Sequence, residues 1–202
     1  MDIGAHEGWF TMGLNSVCSV KDALLIEPIE VLAQKLARNP VLSDYSVVDC
    51  AISDFDGDIE MKIFPEAPSM SSVLDLDKSV EDYVEAAKTE AICVMRPARK
   101  LDTIAAGFGE STIDLIKIDV QGLEHLVIKG GAKTLSRTKA VFTEVSFRPI
   151  YVGSSMLFDI AASLRTHGFI MIELEPGFRA KSRELLQADA LFVKAADRSE
   201  KE

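Results

Sequence analysis

No apolar run in these 202 residues reaches the roughly 18 that a helix needs to cross a bilayer, and no secretory leader pattern opens the sequence. A soluble, cytoplasmic protein is therefore expected. Cysteine is scarce too: Cys18, Cys50 and Cys93 are odd in number, far apart and set in apolar surroundings, which argues against a disulfide framework or a zinc knuckle and suggests buried free thiols. Positive charge is in short supply, with 22 Lys and Arg against 32 Asp and Glu. The net charge of -10 repels a phosphate backbone, which argues against nucleic acid and favours a small or neutral partner. A single tryptophan and three histidines leave few groups for stacking or proton transfer near neutrality.

What is present is a hydrophobic content of 48%, enough for one domain with a sizeable core. Apolar, β-branched runs alternate with amphipathic stretches, the pattern of strands joined by crossover helices in a mostly parallel sheet. Strands are predicted near 23–26, 46–52, 113–119, 140–145, 169–174 and 190–193, and helices near 9–16, 29–38, 131–137 and 156–167. The last two strands are separated only by Pro176-Gly177 and a charged link, which makes them an antiparallel pair. The domain is expected to span 1–195, with 196–202 a disordered tail.

Residues 55–99 interrupt the alternation. Asp56-Gly57 is a turn signal, Ile59 to Phe64 reads as an extra strand, and Pro65 to Pro68 ends it. The acidic stretch from Asp75 to Glu90 is either a lid over the crevice or a solvated surface insertion.

Asp2-Ile3-Gly4-Ala5-His6-Glu7-Gly8 has the pattern of a strand that ends in a glycine turn and enters a helix at Trp9. Glu27 follows about 20 residues after the loop, at the tip of the next strand. A βαβ nucleotide site places there an acid that takes the ribose hydroxyls. A second block, from Ile113 through Lys117-Ile118-Asp119-Val120-Gln121-Gly122-Leu123-Glu124, is a buried strand opening into a polar turn. Ligands in a parallel sheet sit beyond the carboxyl ends of the strands, so Asp119 and Glu124 are expected to face the same crevice as Gly4 and Glu27.

With Ala51-Ile52-Ser53-Asp54, Asp56-Gly57, Leu101-Asp102, Gly130-Gly131-Ala132 and Glu144, these segments resemble the FkbM-type methyltransferase family, whose members methylate hydroxyl groups with S-adenosylmethionine. Gln121 stands where that family usually has Glu. The resemblance implies a Rossmann-like class I methyltransferase fold, an α/β domain with a mostly parallel seven-stranded sheet and an antiparallel last strand. It also implies S-adenosylmethionine as cofactor, with Gly4, Ala5, His6 and Gly8 against its amino acid part, Glu27 on the ribose, and Asp49, Cys50 and Ala51 near the adenine. Asp2 would fix the loop or meet the donor's ammonium group, and Asp119 would border the same site. The acceptor would be a small molecule or glycan. A nicotinamide-dependent dehydrogenase also has a glycine loop and an acid, but it usually carries glycine at the position of Ala5 and does not account for the block from Lys117 to Glu124.

Candidates for the base that takes the acceptor's proton are Asp119, then Glu124, His125 and Glu144, all at or just past strand ends. Each has a structural alternative. Asp119 would cap the following turn through backbone N–H groups, Glu144 would pair with Arg148, and His125 would be a surface helix residue. His6 reads as a solvent-facing filler ahead of a donor contact, and His167 as a helix C-cap. Trp9 reads as core packing ahead of a stacking role. Asp119 with Glu144 lacks an evident third ligand, so no metal site is expected. The first strand has almost no body before its glycine loop, so a longer version extended upstream is expected to be more stable. A non-catalytic domain that binds S-adenosylmethionine or a partner protein is the remaining alternative.

Overall fold

Segments rich in Val, Ile, Leu and Phe at nearly every position form strands that can be covered on both faces. The computed structural model describes residues 1–78, 80 and 90–195. In chain order the elements begin with β1 (Asp2–Ile3), α1 (Trp9–Val17), β2 (Leu24–Ile26), α2 (Glu30–Arg38) and β3 (Ser46–Val48). Next come β4 (Ala51–Ser53), β5 (Gly57–Ile63), β6 (Ile92–Lys100), α3 (Leu101–Ala106) and β7 (Ile113–Ile118). The remainder are α4 (Glu124–Gly130), α5 (Ala132–Ser136), β8 (Thr138–Ser146), α6 (Leu157–Thr166), β9 (Phe169–Pro176) and β10 (Gln187–Lys194).

Seven strands form one sheet in the order β3-β2-β1-β7-β8-β10-β9. The pairings from β3 through β8 are parallel, and β10 runs antiparallel to both β8 and β9. This is the architecture expected from the sequence, including the antiparallel last strand. From β1 the chain winds out to β3 and then returns to lay β7 on the other side of β1. The reversal opens a crevice at the carboxyl ends of β1 and β7, where Gly4 and Asp119 lie. The core holds Ile3, Ile26, Ile116, Ile118, Val141 and Phe192, each at most 1% exposed. Burial of such side chains stabilises a fold by about 1.5–3 kcal/mol each.

Residues 46–52 do not form one strand. β3 stays in the main sheet, whereas β4 crosses to a separate three-stranded sheet of order β4-β6-β5. The break falls at Asp49-Cys50, where the Asp49 carboxylate accepts a hydrogen bond from Arg96 of β6. β6 itself was not foreseen, since Arg96, Pro97 and Arg99 break up its apolar pattern. Its partner β5 matches the expected extra strand. Of the acidic stretch from Asp75 to Glu90, residues 79 and 81–89 lie outside the described part of the chain, as does the expected tail from 196. The cysteines also differ from expectation: Cys50 is buried, but Cys18 at the end of α1 and Cys93 on β6 are exposed.

Candidate active site

The loop after β1 turns back on itself with positive φ at Gly4 (74°), His6 (50°) and Gly8 (82°). A side chain on Gly4 would place its Cβ 1.8 Å from the carbonyl oxygen of Asp119, so only glycine lets β1 and β7 end this close together. The Gly4 and Ala5 N–H groups both donate to the Ile26 carbonyl, which ties the loop to the end of β2.

Glu27, one residue further along, is 4% exposed. Its Oε2 accepts from the His6 N–H and its Oε1 from the Ile29 N–H, each at 2.8 Å. Burial pushes its carboxyl up to about 7, opposed by those two backbone donors and by Lys117. Both oxygens are thereby fixed in place in the wall of the crevice.

Lys117, for which the sequence pattern implies no role, stands at the centre of the site. Its buried ammonium donates to the Gly4 carbonyl at 2.5 Å and stands 3.4 Å from both Asp2 Oδ1 and Asp119 Oδ2. Burial works against its charge, but Asp119 and Asp2 outweigh it and leave the pKa raised. Asp2 accepts a hydrogen bond from the Thr11 hydroxyl at 2.7 Å, which joins the loop to α1. Through Lys117 and Thr11, Asp2 is tied to the glycine loop and to α1.

The cap considered as an alternative for Asp119 is supplied by Glu124 instead. The turn is capped by Glu124, whose Oε1 accepts from the N–H groups of Val120 (3.2 Å) and Gly122 (3.1 Å). Gln121 and Gly122 both have positive φ, which turns those N–H groups inward. Glu124 is 5% exposed and lines neither of the two cavities described below; burial pushes it up to about 7. Asp119 is left free of capping. Its Oδ1 accepts from the Gln121 amide at 2.8 Å, and Gln121 Oε1 in turn accepts from the Tyr151 hydroxyl at 2.8 Å.

Two cavities meet at this point. The first, of about 230 Å³, is lined by Gly4, His6, Glu27, Cys50, Ala51 and Asp119 from the expected set. Pro68, Ser69, Ser71 and Ser72, between β5 and β6, line it as well. The second, also about 230 Å³, lies on the other side of the loop and is lined by Trp9, Phe10, Asp119, Phe142, Glu144 and Asp189, with Ala5 at its edge. Gly4, His6 and Asp119 border both.

Glu144 does not pair with Arg148, which meets Glu184 at 3.2 Å instead. It accepts a hydrogen bond from the Gln187 amide and sits directly across from Asp189 in the β8-β10 register. Burial first, and then Asp119, Glu124 and Asp189, raise its pKa well above the ordinary carboxyl value. Asp189 is raised by burial and then by Asp119. Asp189 was missed because strand register cannot be read from one sequence.

His6 is half-buried, not solvent-facing, and its Nε2 is buried without a hydrogen-bond partner among the described residues. His125 lies on α4 away from both cavities, with its pKa lowered by burial. His167 is the C-cap of α6, as expected. Trp9 is not core packing: it is 70% exposed, with Nε1 donating to Glu7 Oε2 at 3.2 Å. Gly8 and Asp49 support the site from outside it. Among the described residues no three His, Cys, Asp or Glu side chains come together as a metal-binding group, and no helix is long and apolar enough to cross a membrane.

A sequence model of the family described as "Methyltransferase FkbM domain" matches residues 2–171. A 2-O-methyltransferase, NoeI, from Sinorhizobium fredii is 46% identical over 55 residues, which are 27% of this chain and 23% of that protein. Methyltransferase sdnD from Sordaria araneosa is 27% identical over 153 residues, covering 64% of this chain and 59% of its own length. The chain therefore spans less than two thirds of either relative. Among solved structures, the methyltransferase FkbM from Methylobacillus flagellatus superposes with a TM-score of 0.58 at 17% identity, over 95% of this chain and 42% of its own. The magnesium protoporphyrin IX methyltransferase from Synechocystis, solved with bound S-adenosylmethionine, gives 0.51 at 10% identity over 96% and 68%. These two likenesses establish the fold as that of the class I methyltransferases.

Proposed function

The chain belongs to the FkbM methyltransferase family, and from that membership we propose that it transfers a methyl group from S-adenosylmethionine to a hydroxyl oxygen on a small molecule or glycan. The observation that carries this reading is the position of Asp119 in the wall shared by two cavities, one of which holds the ribose-type acid Glu27. The donor set suits the cofactor. Glu27 has both oxygens preset by backbone N–H groups and would hold the ribose, Cys50 and Ala51 offer an apolar edge for a purine, and the Gly4 to Gly8 loop would take the amino acid end.

Bound there, S-adenosylmethionine supplies an electrophilic methyl on a sulfonium, which departs as a neutral thioether. The protein's own task is to hold the acceptor oxygen in line with that methyl, and positioning alone supplies several kcal/mol of the barrier. The Asp119 carboxylate takes the hydroxyl proton as the oxygen lone pair forms the new C–O bond, and the electrons of the broken C–S bond stay on sulfur. Gln121 and Lys117 keep the Asp119 carboxylate oriented during this step.

Incubation with S-adenosylmethionine carrying a labelled methyl and a panel of hydroxylated acceptors tests the proposal. Label should appear in an ether product for the native protein and be lost in Asp119→Asn, while donor binding persists. Equal labelling by Asp119→Asn would remove Asp119 from the role of base.

A further inference from the structure

Tyr151 carries one hydroxyl proton and faces two acceptors. Its oxygen stands 2.8 Å from Gln121 Oε1 and 3.1 Å from the Met70 carbonyl, and the residue is 2% exposed. The phenol is held where it is: its main chain forms a β-bridge with Leu76, the Val152 N–H donates to the Asp75 carbonyl, and Val80, Ile150 and Leu186 share its cluster. The backbone of Gln121 is fixed as well, by a turn with φ of 55° and by the Ser72 hydroxyl, which donates to its carbonyl at 2.7 Å. Its side-chain amide spans the gap between this phenol and Asp119.

An amide has a donor end and an acceptor end of nearly the same shape, and half a turn about its last bond exchanges them. With Asp119 ionised, Nε2 donates to Oδ1 and Oε1 accepts from Tyr151. Once Asp119 has taken a proton, the place of that proton matters. Oδ2 faces the Lys117 ammonium at 3.4 Å, itself a donor, so Oδ1 is the better carrier. There it would oppose the Nε2 donor. Reversal of the amide removes the conflict: Oε1 accepts from the Asp119 O–H, Nε2 donates to the phenol oxygen, and the phenol proton turns wholly to the Met70 carbonyl.

We propose that Tyr151 is a positioning residue for the transfer reaction, whose one proton, directed to Gln121 or to Met70, lets the Gln121 amide reverse as Asp119 passes from carboxylate to acid. The proposal rests on the reading of Asp119 as the base and adds how both of its protonation states are held. Amide and phenol each keep their own protons. The proton taken from the acceptor stays on Asp119 and leaves to water from there, since that side chain is 36% exposed. The charged groups that set where Asp119 titrates are Lys117 on its own strand, Asp2 beside Lys117, Glu27 after β2, Glu124 on α4, Glu144 on β8 and Asp189 on β10.

Tyrosine labelled with carbon-13 at Cζ gives one signal for each of the three tyrosines, and the Tyr151 signal is identified by its loss in Tyr151→Phe. The protein is loaded with S-adenosylhomocysteine, followed by calorimetry, and its spectra are compared with the pH profile of methyl transfer to the most strongly labelled acceptor of a hydroxylated panel. The Tyr151 signal should move in one step at the pH where transfer rises, and the step should vanish in Asp119→Asn and in Gln121→Leu. Tyr151→Phe should keep its affinity for S-adenosylhomocysteine, lose about tenfold in transfer rate, and add little further loss to Gln121→Leu. A signal that stays put where the rate changes, or losses that add in full in the double variant, would overturn the relay and leave the methyl-transfer reading standing. If the native protein does not bind S-adenosylhomocysteine, that reading falls and the relay with it.

Discussion

The side-chain amide of Gln121 donates to Asp119 Oδ1 at 2.8 Å. Gln121 thereby steadies one oxygen of that carboxylate. It also links the crevice to Tyr151, whose hydroxyl meets Gln121 Oε1 and the Met70 carbonyl. Asp119, Gln121, Tyr151 and the segment holding Met70 are thus joined by hydrogen bonds. Gln121→Leu should leave the fold intact but lower methyl transfer by about tenfold through misorientation of Asp119; an unchanged rate in a labelled-methyl assay would count against this link.

Glu27 gives donor binding a pH dependence of known sign. Ribose hydroxyls donate to the ionised carboxylate, and the free protein holds its proton up to about 7. Affinity for S-adenosylhomocysteine should therefore rise as pH increases through that value, by up to about tenfold between pH ~6 and pH ~8, with proton release visible as a buffer-dependent heat. Glu27→Gln should flatten the profile.

The same raised values act on stability. Unfolded, Glu27 and Glu124 ionise near their ordinary 4.5, whereas folded they keep the proton to about 7. Between those limits the unfolded state loses protons that the folded state retains, so their contribution falls as pH rises from about 4.5 to about 7 and then levels off. Each should cost on the order of 1–3 kcal/mol across that window. Urea midpoints for the native protein and for Glu124→Gln would show it as a shallower slope in the variant.

Gly4 and Lys117 test the geometry of the loop. Gly4→Ala forces a Cβ onto the Asp119 carbonyl at 1.8 Å and a positive φ on alanine, so destabilisation of roughly 3 kcal/mol or more is expected. Lys117→Met strips the counter-charge from buried Asp2 and should cost about 3–5 kcal/mol. Thermal midpoints close to the native one for either variant would contradict the described packing.

Much of this was legible in the sequence because it is local. The glycine loop and the spacing to Glu27 lie within one βαβ unit, the strand leading to Asp119 is one local, mostly apolar run, and the alternation of apolar runs forecast the main sheet with its antiparallel last strand. What escaped depended on register and long-range approach. Asp189 reaches the site only through the pairing of β10 with β8. The capping role of Glu124 follows from positive φ at Gln121 and Gly122, which no apolar pattern announces. Trp9 was assigned to the core on size alone, but as the first residue of α1 it lies beyond the packed face of that helix. The split of residues 46–52 between two sheets follows from the pairing of β4 with β6, nearly fifty residues away.

Calorimetric titration with S-adenosylmethionine, with NAD as a comparison and Glu27→Ala as control, tests the central claim most directly. The account predicts saturable binding of S-adenosylmethionine, none of NAD, and loss of about tenfold or more in affinity for Glu27→Ala. Binding of NAD in place of S-adenosylmethionine, or binding of S-adenosylmethionine that Glu27→Ala leaves unchanged, would contradict it.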